Sequence, residues 1–133
     1  MIRGIDHIGI AVRSIEEKLH FYRDVLELGE VDVEEVPEQK VRVAVITTPQ
    51  GRIELLEPTG DDSTVAKYLE KKGEGMHHLA LQVDDIDAEI ARLMTQDTRM
   101  IDESARIGAG GARIAFIHPK SAGGVLTELC ERP

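Results

Sequence analysis

The sequence has no tryptophan, two phenylalanines and two tyrosines, so aromatic residues make up 3% of it. So few rings argue against stacking platforms for bases or sugars. There is one cysteine, Cys130. A single thiol forms no internal disulfide, which fits a reducing compartment. No apolar run approaches the roughly 18 residues needed to cross a bilayer. Positive charge is short as well: 16 Lys and Arg stand against 25 Asp and Glu, a formal net charge of −9. Phosphate backbones are bound by basic surfaces, so nucleic acid is not an expected partner. A small anionic substrate remains compatible, given a local basic patch or a metal ion. Strand-like sequence begins at Ile5, which leaves no stretch for a targeting segment ahead of it. The 133 residues therefore read as one soluble, cytoplasmic domain with a real core and no membrane partner.

What is present is an approximate internal repeat. Asp6-His7-Ile8-Gly9-Ile10-Ala11-Val12 answers to His77-His78-Leu79-Ala80-Leu81-Gln82-Val83. Both are strand-like, with histidine second and apolar residues third, fifth and seventh. Each runs into a helix signal. Ser14-Ile15-Glu16-Glu17 has the form of a capping box, and Asp85 caps the second helix. Ile15, Leu19, Tyr22 and Leu26 make one apolar stripe, which Ile86, Ile90 and Leu93 repeat. Strands are expected at 30–36, 41–48 and 52–57, then at 98–102, 112–117 and 124–130. Each half thus reads βαβββ, an α+β chain of two tandem modules, about 4–58 and about 75–131. Asp61-Asp62-Ser63 begins a linker helix over about 61–72, which Gly73 and Gly75 end. The two glutamates described next stand slightly further apart than the two histidines, and a longer loop around Gly108-Ala109-Gly110-Gly111 is expected to account for it.

Strand side chains alternate between faces. His7, Gly9 and Ala11 share one face, and so do His78, Ala80 and Gln82. The helices should cover the opposite Ile, Val and Leu face, so each histidine projects beside small neighbours. In Arg52-Ile53-Glu54-Leu55-Leu56 and Val125-Leu126-Thr127-Glu128-Leu129, a glutamate lies opposite the apolar face of its strand. A carboxylate inside an apolar strand is costly unless paired or bound to metal. Two such glutamates at equivalent positions, with two equivalent histidines, read as one divalent metal site: His7, Glu54, His78 and Glu128. Two imidazoles and two carboxylates suit Zn, Mn, Co, Ni or Fe and leave positions open for water or substrate. His77 has the wrong strand parity and is expected to pack behind the site.

These residues resemble the vicinal oxygen chelate superfamily, the glyoxalase fold, and within it the methylmalonyl-CoA epimerases. The resemblance covers nearly the whole chain. It is carried by the two histidine strands together with Val36-Pro37-Glu38-Gln39, Ile53-Glu54-Leu55-Leu56-Glu57-Pro58, Gly75-Met76-His77-His78, Val83-Asp84-Asp85-Ile86, Gly108-Ala109-Gly110-Gly111, His118-Pro119-Lys120-Ser121 and Gly123-Gly124-Val125-Leu126-Thr127-Glu128-Leu129. It implies a cup-shaped mixed sheet around one metal, Co, Zn, Mn or Ni, held by the same four residues. It also implies a homodimer and an acyl-CoA substrate.

The implied reaction interconverts (R)- and (S)-methylmalonyl-CoA. The α-proton between a thioester and a carboxylate leaves, and Lewis acidity stabilises the enolate. Inversion needs a base on each side of the planar intermediate. Glu128 is one candidate. Some relatives carry Glu at the position aligned with Val43, and valine cannot move a proton, so Glu54 is the candidate for the other. Lys120, Arg113 and Arg106 are candidate cations for the coenzyme A phosphates, and Gly110 brings backbone amides near an anion. His118 and Ser121 are candidates to position the carboxylate or thioester. The Glu34-Glu35 and Asp61-Asp62 pairs read as solvated surface. Rival readings are a glyoxalase I-type lyase, an extradiol dioxygenase, and a non-enzymatic binding protein of the bleomycin-resistance kind, which generally lacks the ligands.

Overall fold

In the computed structural model, which describes residues 1–133, each half of the repeat folds in the order β-α-β-β-β. The first half holds β1 (Ile2–Ala11), α1 (Ile15–Leu19), β2 (Glu30–Val36), β3 (Val41–Thr48) and β4 (Gly51–Pro58). A connecting helix, α2 (Thr64–Lys72), follows; its first turn is capped by Ser63 Oγ, which accepts from the Ala66 amide. The second half holds β5 (Gly75–Val83), α3 (Ile86–Met94), β6 (Arg106–Ile107), β7 (Arg113–Ile117) and β8 (Thr127–Glu131). Two compact units result, residues 7–77 and residues 1–6 with 78–133. The unit boundary therefore cuts β1, and the first six residues belong with the second half.

Each unit is a small mixed sheet with one face under a helix. In the first the order is β2-β3-β4-β1, with β3 antiparallel to both neighbours and the end of β1 parallel to β4. In the second it is β5-β8-β7-β6, with β5 parallel to β8. The cores match residue for residue. Val12, Ile15, Leu19, Ala44, Ile46 and Leu55 pack under α1. Val83, Ile86, Ile90, Ala115, Ile117 and Leu129 pack under α3. Burying each larger aliphatic side chain contributes about 2 kcal/mol before entropy is counted.

This correspondence corrects the expected place of the longer loop. Ala44 and Ile46 answer to Ala115 and Ile117 with the same spacing as His7 to His78, so the 108–111 loop adds no residues. Arg42 pairs with Glu57 and Arg113 with Glu131, and the extra length falls between β7 and β8. The first hairpin closes tightly, with Thr48 Oγ1 donating to the Gly51 carbonyl at 2.7 Å. The second opens into a 3₁₀ turn, Pro119–Ala122, followed by Gly123 and Gly124 at φ 67° and 90°. That turn is why β8 begins at Thr127 and not near 124.

Two other expectations change. The segment 98–102 is not a strand; only Met100 bridges to Ile117. The amides of Ile101 and Asp102 both donate to the Phe116 carbonyl, at 2.8 and 3.2 Å. The Asp102 carboxylate in turn accepts from the Phe116 amide at 2.9 Å. A ladder cannot continue through such sharing, and the pairing resumes only at β6. The helix stripe also stops early. After Leu19 the helix widens into a π-helical turn, His20–Val25, and the Leu26 amide donates back to the Phe21 carbonyl at 2.8 Å. The wider turn shifts the following residues off the α-helical face. Tyr22 still packs on the core, with Leu28 beyond it, while Leu26 is exposed.

Candidate active site

Register sets each histidine beside a glutamate. β1 pairs with β4 so that Gly9 lies opposite Glu54, and β5 pairs with β8 so that Ala80 lies opposite Glu128. His7 and His78 are two residues ahead of those small residues, on the same face. Gly9 and Ala80, with little or no side chain, stand opposite the two glutamates in that register. In the first unit His7 Nδ1 lies 3.4 Å from Glu54 Oε2. In the second, His78 Nε2 lies 3.4 Å from Glu128 Oε1. All four side chains are buried, with 3–6% of their surface exposed. Phe116, paired with Glu128 across β7 and β8, sets its ring edge-on to His78 at 5.5 Å.

Imidazole and carboxylate donors in apolar surroundings are costly to bury without a counter-charge. The same donor types are those a divalent first-row ion takes, so the residues fit such a group. His77 belongs elsewhere. Its ring meets Tyr68 edge-on at 5.1 Å, and burial pushes its imidazole down to about 4, which keeps it neutral at pH 7.

The other candidate residues divide among four places. His118, Lys120 and Ser121 share the turn between β7 and β8. His118 Nδ1 accepts from the Lys120 amide at 3.0 Å, and Ser121 Oγ accepts from the Arg99 amide at 2.9 Å. Desolvation, then Arg99 and Lys120, hold the His118 imidazole below its ordinary value. Gly110 sits in a separate loop, at φ 68°. Arg113 is on the helix-covered face of β7 with Ala115 and Ile117, across the sheet from Glu128. There it bonds Asp87 at 2.8 Å and approaches Glu131 at 3.8 Å. The structure does not bring it together with the histidine–glutamate pair. Arg106 lies beside Asp102 at 3.3 Å and over the Phe116 ring.

Two acidic residues escaped the sequence reading. Glu57 Oε1 accepts from the Ile15 amide at 2.9 Å and its other oxygen bonds Arg42. Glu131 Oε1 accepts from the Ile86 amide at 2.8 Å, beside Arg113. Each follows a site glutamate by three positions, so it points to the opposite face and holds the start of the helix there. The repeated Glu-x-x-Glu spacing was the available signal.

Known proteins are similar to this chain in sequence and fold. A family model described as Glyoxalase/Bleomycin resistance protein/Dioxygenase superfamily matches residues 6–116. The mitochondrial methylmalonyl-CoA epimerase of Mus musculus is 40% identical over 94% of this chain and 71% of its own. The crystal structure of methylmalonyl-CoA epimerase from Mycobacterium tuberculosis superposes with a TM-score of 0.94 at 41% identity, covering 99% of this chain and 89% of that one. A methylmalonyl-CoA epimerase in complex with methylmalonyl-CoA and NH4+ superposes with a TM-score of 0.92, also at 41% identity, over 99% and 96% of the two chains.

Proposed function

The chain belongs to the glyoxalase/bleomycin resistance protein/dioxygenase superfamily, and from that premise we propose that it is a metal-dependent epimerase interconverting (R)- and (S)-methylmalonyl-CoA. The observation that carries this reading is the duplicated, buried histidine–glutamate pair. His7, Glu54, His78 and Glu128 together hold one divalent ion, Co, Zn, Mn or Ni. Bound there, the ion supplies Lewis acidity toward the negative charge that develops on the substrate as its α-proton leaves.

The chain's own groups do the proton work. Epimerisation needs a base on one face of the α-carbon and an acid on the other. Glu128 and Glu54 come from pseudo-equivalent strands, so a carboxylate is available from each half. Glu128 takes the proton from one epimer, and Glu54, protonated while it is not holding the ion, delivers its proton to the opposite face; the reverse reaction exchanges their roles, and proton exchange with water restores the starting forms. Val43 is buried and aliphatic, so β3 supplies no base. Gly9 and Ala80 leave the glutamates room to move toward the substrate. Phe116 shields the second pair from water, which strengthens the field at the carboxylate. Lys120, Ser121, His118 and Gly110 are the groups proposed to bind the acyl-CoA. No helix is long and apolar enough to cross a membrane. A cytoplasmic homodimer acting on free acyl-CoA completes the reading.

Proton NMR of (S)-methylmalonyl-CoA in deuterated water tests it. Metal-loaded protein should exchange the α-proton far above background and produce the (R) epimer. A chelated sample and the Glu128→Ala variant should do neither. Bound metal with no gain in exchange would remove the substrate assignment while leaving the metal site standing.

A further inference from the structure

The repeat duplicates its structural devices: caps, core residues, the Glu57 and Glu131 tethers. A buried ion pair next to the first histidine is not duplicated. Asp6 directly precedes His7, is 3% exposed, and accepts a forked bond from Arg132, at 3.1 Å from Nε and 2.6 Å from Nη2. The guanidinium also abuts the 108–111 loop. A Cβ built on Gly110 would lie 3.3 Å from Arg132 Nη1, and Gly110 holds φ +68°. The equivalent residue of the other half, His77 ahead of His78, meets the neutral ring of Tyr68 instead.

We propose that Arg132 is a positioning residue that ties the 108–111 loop to the strand position immediately before His7. This rests on the reading above, in which His7 is a metal ligand and the loop lies against the acyl-CoA. A planar guanidinium bonds a carboxylate in one fixed orientation. With one end locked on Asp6, its remaining edge sets how closely the Gly110 backbone can approach. Loop position and the seating of His7 are then fixed by one group. The helix tethers recur in both halves, whereas this pair stands only beside the first histidine.

The test compares Arg132→Met, Arg132→Lys and Asp6→Asn with the wild type, all as full chains. The readouts are thermal midpoint, metal affinity by competition with a chromophoric chelator, amide exchange at 108–111, and KM and kcat for methylmalonyl-CoA. Arg132→Met should weaken metal binding about tenfold or more. It should also speed amide exchange in the loop and raise KM more than it lowers kcat. Arg132→Lys keeps the charge but lacks the fork; it should recover the thermal midpoint without recovering metal affinity or loop protection. Asp6→Asn should resemble Arg132→Met. A lowered midpoint with unchanged metal affinity and loop exchange would overturn the proposal, as would full recovery by lysine. Should the methionine variant fail to fold, the lysine variant decides alone by the same two readouts. A wild type that binds metal but does not turn over methylmalonyl-CoA would sink the epimerase reading, while metal affinity and amide exchange still decide the role of Arg132.

Discussion

At the scale of single residues, burial separates charges that matter from those that only keep the surface wet. Glu89 is buried at 6% exposure on the first turns of α3, yet its carboxylate stays ionised because Arg92 bonds it at 2.8 Å, with the Met1 ammonium at 3.0 Å. These contacts, Arg92 first, hold Glu89 below its ordinary value of 4.5. A depressed acid contributes stability above its unfolded-state value and loses it as pH falls through the folded one. Glu89→Gln should therefore cost about 0.5–1 kcal/mol at pH 7, in the range of partly exposed ion pairs. The difference from wild type should shrink as the pH falls below about 4.5. Urea denaturation at pH 7 and at pH 3 measures both; an equal deficit at the two values would assign the effect to packing. The burial and pairing of His7 with Glu54 and of His78 with Glu128 were legible in the sequence because each half vouches for the other. Glu57 and Glu131 were not singled out, since one glutamate near a strand end carries no mark of what it bonds.

At the scale of elements, propensity and periodicity located most of the structure and erred where a hydrogen bond left the regular ladder. β2 and β3 fall at the expected residues. The 98–102 strand fails because Asp102 takes the Phe116 amide into its side chain. The α1 stripe fails at Leu26 because the π-helical turn takes in an extra residue, so later residues lag behind the α-helical stripe. Apolar spacing is blind to both events, since neither changes residue type. The π-turn makes a mutational prediction that an unbroken α-helix reverses. Tyr22 packs on the core beside Leu19, whereas Leu26 is 45% exposed. Tyr22→Ala should destabilise the protein by about 2–3 kcal/mol. Leu26→Ala should change stability by no more than about 0.5 kcal/mol. Comparable losses on thermal denaturation would mean that Leu26 remains on the buried stripe in solution.

At the scale of the whole molecule, duplication makes the matched histidines and glutamates legible and leaves two forms a metal site could take. Each half places one histidine and one glutamate at matched register, and the cores behind them correspond almost residue for residue. Extra length enters between β7 and β8, where the His118–Ser121 turn breaks the symmetry. Sequence spacing alone misplaced that length, because the offset between histidine and glutamate does not say where between them the extra residues lie. A duplicated pair allows two outcomes: two weak two-ligand sites, or one four-ligand site. Two protein donors hold a divalent ion poorly, and four hold it well. The proposed reading therefore expects one metal ion per chain after dialysis, measured by elemental analysis. His7→Ala and His78→Ala should each weaken binding by a similar, large factor, and each should abolish most of the thermal stabilisation that added metal confers. The double variant should lose little beyond either single one, because the ion is already gone. Two ions per wild-type chain, falling to one in each single variant, would instead mean that the halves bind independently. The shared site, and with it the pairing of Glu54 and Glu128 about one α-carbon, would then be wrong.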